Sequence, residues 1–218
     1  MWINYSKFDW KEDRKLEKEN KMKKLIYVLM ISLLSLTIFS CAKKSDTSST
    51  TTTTELEGTW SAACYVATDN LSSYKNTITV SGTDVIAKYE VHSDSSCNTD
   101  IWNWEDTYSS LSIGDERSFS SGATGHRFTF NLVSLTLALL TQAIASDMNT
   151  ISFCGVYWER GTATDITGKT CESDTYNVAN TTYLGLYKLV GNNLFLGDFS
   201  TTGYYPTSVY NTIIYVKQ

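Results

Sequence analysis

Between Arg127 and Leu132 the sequence alternates strictly. Phe128, Phe130 and Leu132 fall on one side of an extended chain, and Arg127, Thr129 and Asn131 fall on the other. A period of two admits a strand that buries one face, and it excludes an amphipathic helix over the same residues. Ile101-Trp102-Asn103-Trp104 repeats the pattern, with both indoles on one face. Thr, Tyr, Val and Ile are abundant throughout, and Gly, Asn and Ser stand at the breaks. The spacing predicts strands over 58–66, 74–80 and 85–91, with Ser81-Gly82-Thr83-Asp84 as a hairpin break, and further strand around Phe119 and over 128–132. Strands are also expected over 175–190, 194–199 and 209–217, with Gly191-Asn192-Asn193 as a turn. One segment departs from this texture. Leu137, Leu140, Ile144 and Met148 recur at helical spacing in a run of good helix formers, which predicts an amphipathic helix over 137–148. An apolar stretch over 151–158 and a Gly- and Thr-rich excursion to Cys171 follow it. The expected fold is mainly β: an antiparallel barrel or sandwich of about 8–10 strands with one helix.

The N-terminus does not belong to that domain. Residues 23–41 read KKLIYVLMISLLSLTIFSC: two lysines, an apolar run, then Ile38-Phe39-Ser40 before a cysteine. The run over 25–39 suits the apolar region of a secretory signal and falls short of the roughly 20 residues that span a bilayer. With its aliphatic Ile38 three residues before Cys41 and small Ser40 just before it, the stretch resembles a bacterial lipoprotein signal peptide with its lipobox. That resemblance implies a diacylglyceryl thioether on Cys41, cleavage before it, and several acyl chains such as palmitate on the new first residue. The chain then divides into residues 1–21, an upstream start extension; 22–40, the signal peptide; 41–54, the lipidated cysteine and a Ser/Thr-rich tether; and 55–218, the barrel domain. The tether, AKKSDTSSTTTTT, has no large apolar residue with which to offset the entropy of ordering. The implied localisation is the cell envelope, at the outer membrane or cell surface, with the membrane itself as a partner through Cys41.

Cleavage changes both charge and cysteine arithmetic. Removing residues 1–40 leaves ten basic and eighteen acidic side chains, so the mature part carries about eight net negative charges. That surface repels phosphate backbones and argues against nucleic acid as a partner. Five cysteines are odd in number, and assigning Cys41 to lipid leaves Cys64, Cys97, Cys154 and Cys171 for two disulfides. Three pairings exist. Cys64 with Cys97 and Cys154 with Cys171 closes the shortest loops and is preferred. No pair has CxxC spacing, and His92 and His126 stand away from the cysteines, so no metal and no cofactor is expected.

Gly58-Thr59-Trp60 in the opening strand, an antiparallel meander after it and a helix late in the chain resemble the lipocalin-type β-barrel. Trp60 with Cys64, a second cysteine within Asp94-Ser95-Ser96-Cys97 and an aromatic strand downstream are similar to lipocalin-like domains related to the one named for the adenomatosis polyposis coli down-regulated protein. The resemblance implies that Trp60 plugs the closed end of a barrel and that Cys64 and Cys97 staple the first strand to a neighbour. An eight-stranded barrel of this size holds at most one small ligand. Trp102, Trp104, Tyr108, Tyr183 and Tyr187 are the candidate ligand-binding rings, drawn from a larger aromatic set that includes Tyr157 and Trp158.

No catalytic set emerges. His92 with Asp94 and a serine is an adjacency expected by chance in so Ser- and Asp-rich a chain, and Glu105-Asp106 and Asp115-Glu116 read as solvated loop charges. P-loop, GxGxxG and HExxH motifs do not occur. The expected function is therefore non-enzymatic: a lipid-anchored barrel that binds a small apolar molecule, lipid or acylated partner. Its alternative is a structural or adhesive surface lipoprotein that binds a protein or envelope polymer through exposed tyrosines such as those in Tyr204-Tyr205-Pro206. A membrane-spanning eight-stranded barrel is a third reading, disfavoured by the anchor, the tether and the helix.

Overall fold

The computed structural model describes residues 54–66, 72–118, 124–201 and 203–218. The expectations for the start extension, the signal peptide, Cys41, the tether through residue 53 and Phe119 lie outside the described residues. The strands are β1 (Gly58–Ala62), β2 (Tyr65–Val66), β3 (Ser73–Ser81), β4 (Asp84–His92), β5 (Asp100–Ser118) and β6 (Thr124–Leu139). After helix α1 (Gln142–Thr150) come β7 (Ala163–Asp165), β8 (Thr170–Cys171), β9 (Asp174–Thr175), β10 (Thr182–Val190), β11 (Asn193–Leu196) and β12 (Tyr215–Lys217). The pairing order β1-β12-β11-β10-β6-β5-β4-β3 returns to β1 through a β1–β3 ladder, so eight antiparallel strands close into a barrel. β2 extends the β3 edge, β7 pairs with the far end of β6, and β8 and β9 form a separate two-stranded ladder.

Two irregularities decide which side chains enter the barrel. Thr107 faces Ser134 but Tyr108 faces Leu132, which leaves Val133 as an extra residue in β6. That bulge resets the alternation, so Phe128, Phe130 and Leu132 before it and Leu135, Leu137 and Leu139 after it are all buried, while Val133 is exposed. On β5 a second shift sets Ser109 against Asn131 and Ser112 against Thr129, with Ser110 at φ 60° and Leu111 turned into the core.

The same leucines account for the expected helix being shorter than its periodicity suggests. Leu137 satisfies both a period of two with Leu135 and Leu139 and a helical spacing with Leu140. Pairing against Trp104 and Trp102 of β5 claims Leu137 and Leu139 for β6. The helix begins only at Gln142, where the Thr141 side chain accepts a hydrogen bond from Ile144 N at 3.3 Å. Other boundaries shift for local reasons. The expected 175–190 strand is interrupted by a turn with Asn180 at φ 67° and a Thr181 N to Val178 O bond, and only 174–175 and 182–190 pair. The expected 209–217 strand contracts to β12, with Val209 in a lone bridge to Gly197. The first strand breaks at Ala63-Cys64 into β1 and β2.

The core has two parts. Inside the barrel Trp60, Tyr108, Phe128, Phe130, Tyr187, Phe199 and Tyr215 pack with aliphatic residues, each of these rings no more than 3% exposed. Beyond the bulge, Leu135, Leu137 and Leu139 continue the inner face and are covered by α1, Trp158, Ile166 and the Cys154–Cys171 disulfide. Residues 142–171 therefore cap one side of one barrel end.

Candidate functional site

The two ends of the barrel differ. Gly58, Val80, Val85 and Tyr108 share one level in the ladders, and Tyr65, Tyr74, Val91, Trp102 and Leu139 share another toward the opposite end. At the first end Leu56 and Trp60 are buried, and Trp60 Nε1 donates to Leu56 O at 2.8 Å. The Lys217 ammonium lies 5.2 Å from the centre of the Trp60 indole. Trp60 thus sits in the core at the end where the chain enters the barrel.

At the second end the cap covers only the β5–β6 side. From the β2–β3–β4 side, Tyr65, Tyr74 and Tyr89 follow one another to Trp102 of β5, which packs against the capped cluster, with ring centres 5.4, 5.3 and 5.9 Å apart. Their strand registers place them on the inner face, with buried Ile78, Ala87 and Val91, yet each remains partly exposed. An inward-facing ring that solvent still reaches lines a mouth. Beneath the row lies Asn76, fully buried, whose amide nitrogen donates to Tyr65 Oη at 3.4 Å and Tyr215 Oη at 3.3 Å. Its Oδ1 has no hydrogen-bond partner. Leaving a buried acceptor unsatisfied costs about 1–3 kcal/mol. Burial pushes the Tyr65 phenol up to about 12, against the lowering effect of hydrogen bonds to Asn76 and Tyr89, and burial raises the Tyr89 phenol well above its ordinary value. These phenols stay neutral across physiological pH.

The candidate ligand rings separate. Trp102 belongs to the mouth row, and Trp104 lies beside it on β5, edge-on to Tyr176 of the cap at 5.1 Å. Tyr108 and Tyr183 pack against Phe130 in the interior, with centres 4.3 and 5.9 Å from it. Tyr187 stacks on His126 at 5.3 Å, and its hydroxyl donates to Glu55 Oε1. The structure does not bring all five rings to one surface. Tyr65, Tyr74 and Asn76 are members of the mouth that the sequence pattern alone does not single out as a site. Tyr74 and Asn76 share the period of two with Ile78 and Val80, which is the signal that marks them as inward.

Asp106 is a correction. Its neighbours suggest a solvated loop charge, but it is 2% exposed in β5 and accepts from Trp104 Nε1 at 2.7 Å and Tyr108 Oη at 2.9 Å. Burial raises its carboxyl to about 7, the two hydrogen bonds oppose that, and the neighbouring Glu105 charge adds to it. Sharing parity with Trp104 and Tyr108 is the clue that the sequence offers. His92 is likewise buried rather than in an open polar run, with Nδ1 2.6 Å from Asp100 Oδ1 at ion-pair distance but without hydrogen-bond alignment.

Both disulfides follow the shortest-loop pairing, Cys64–Cys97 and Cys154–Cys171. The first closes beside the mouth, where the Asp94 carboxylate accepts from the backbone of Ser96, Asn98 and Thr99 and is held below its ordinary pKa by those bonds. Among the described residues, no group of His, Cys, Asp and Glu is arranged to hold a metal ion, and no helix is long and apolar enough to cross a membrane. No protein-family model matches the chain, and no curated protein matches it significantly.

Proposed function

We propose that the protein is a lipid-anchored, non-enzymatic envelope lipoprotein whose barrel takes a small apolar molecule, lipid or acyl chain at the half-capped mouth. The observation that carries this reading is the row Tyr65, Tyr74, Tyr89 and Trp102, inward-facing and still partly exposed. The deep interior is filled by its own rings, so the ligand enters no further than the level of Asn76 and Tyr89. A concave, mostly apolar surface with one or two polar groups is the usual form of a small-molecule site. Native mass spectrometry of the mature protein, with fluorescence titration of N-phenyl-1-naphthylamine and a long-chain fatty acid, tests it. A co-purifying ligand or saturable micromolar binding is expected; an empty protein that binds neither probe would refute the mouth as a ligand site.

A second reading, adhesion through exposed tyrosines, is favoured by Tyr157 and Tyr204, which are 81% and 80% exposed. They lie in the cap and in the long β11–β12 connection, respectively. Tyr205, by contrast, is half-buried, with the Arg127 guanidinium 4.6 Å from its ring centre. Loss of surface or polymer attachment in a Tyr157→Ser, Tyr204→Ser double variant, with ligand binding absent in the wild type, is the result that selects this reading.

A further inference from the structure

The floor of the mouth has an unfilled hydrogen-bond acceptor. Asn76 is 0% exposed, lies on the inner face of β3 between Tyr74 and Ile78, and spends both amide protons on Tyr65 and Tyr215. At 3.4 and 3.3 Å those contacts are long for N–H donors. Oδ1 receives nothing. The rings above are neutral, and the row itself brings no charge to the ligand.

We propose that Asn76 Oδ1 receives a hydrogen bond from the ligand, so that the mouth selects flat, uncharged molecules bearing one hydroxyl or N–H, of which phenols and indoles are the simplest. The aromatic body lies along Tyr65, Tyr74, Tyr89 and Trp102, and its donor points down to the level of Asn76. This rests on the mouth being a ligand site, and it adds the chemistry that site reads. Satisfying a buried polar group discriminates far more strongly than one extra methylene does.

The test compares 4-propylphenol with 4-propylanisole, which share their ring and alkyl chain and differ in the donor. Binding to the mature domain is followed by calorimetry and by quenching of tryptophan fluorescence. The phenol should bind at least tenfold more tightly, and the ratio should fall to near one in Asn76→Leu. The wild-type comparison needs no variant and holds even where Asn76→Leu folds poorly. Equal affinities in the wild type, or a preference that survives in a folded Asn76→Leu protein, would overturn the inference. Binding of diphenylhexatriene, which is apolar and carries no donor, without binding of the phenol overturns it while leaving the mouth as a site. Failure of all three compounds removes the mouth reading as well.

Discussion

Asp106 and Gly197 show how much single positions carry in so tightly packed a barrel. A carboxyl at about 7 in the fold and near 3.8 in the unfolded chain binds more protons when folded at every pH between those values. Its contribution is therefore fully present below pH 4 and is lost as pH rises through 7. At 1.36 kcal/mol per unit the loss is about 4 kcal/mol as an upper figure. Urea midpoints measured from pH 4.5 to 8 should fall across that window in the wild type and run nearly level in Asp106→Asn; parallel slopes in both would remove Asp106 as the cause. Gly197 is a steric case. A Cβ there would stand 2.5 Å from Ser208 O and 3.3 Å from both Leu186 and Pro206, where the long connection crosses the outer wall. Gly197→Ala should lose about 1–3 kcal/mol. Gly114→Ala, whose new methyl meets nothing closer than 3.8 Å, should be nearly neutral in the same denaturation experiment.

At the scale of elements, the alternating strands were legible and the cap was not. Residues 74–80 and 85–91 pair as expected because their period of two has no competing periodicity. Over 135–140 the leucines obey two periods at once, and only the presence of β5 as a partner decides between them, a fact no local pattern contains. The mouth was half legible. Trp102 stood out by its size, whereas Asn76 is a polar residue whose burial depends on phenols brought from β2, β4 and β12. The cap is held less by its nine-residue helix than by the segment after it. Asn149 both accepts from Trp158 N at 2.7 Å and donates to Trp158 O at 2.8 Å, and the Cys154–Cys171 bridge closes a 17-residue separation. In the chain-entropy view a loop of that length contributes about 3 kcal/mol. Replacing both cysteines by serine should therefore loosen residues 142–177 ahead of the barrel. Limited proteolysis should show new cleavage confined to that span, and cleavage unchanged from the wild type would show that Trp158 and Asn149 hold the cap alone.

For the whole molecule, the position of the proposed mouth relative to an anchor at Cys41 would set what the site can sample. The described chain begins at Thr54 beside Leu56 and Trp60, at the end of the barrel opposite Tyr65 and Trp102. With acylation at Cys41, the thirteen residues from there to Thr54 would reach about 45 Å at full extension, and they would join the barrel at its Trp60 end. Two or more acyl chains, at about 0.8 kcal/mol per buried CH2, make that attachment stable where one chain would be marginal. Under the proposed function, Cys41→Ser should abolish palmitate labelling and move the protein from the membrane to the soluble fraction, with any phenol affinity unchanged because the tether would join the end opposite the mouth row. Deleting residues 45–52 from the anchored form should likewise leave that affinity within about twofold, a factor worth only about 0.4 kcal/mol. A large gain in affinity on losing the acyl chains would mean that the mouth folds back to hold them, and the protein's own lipid would then be its ligand.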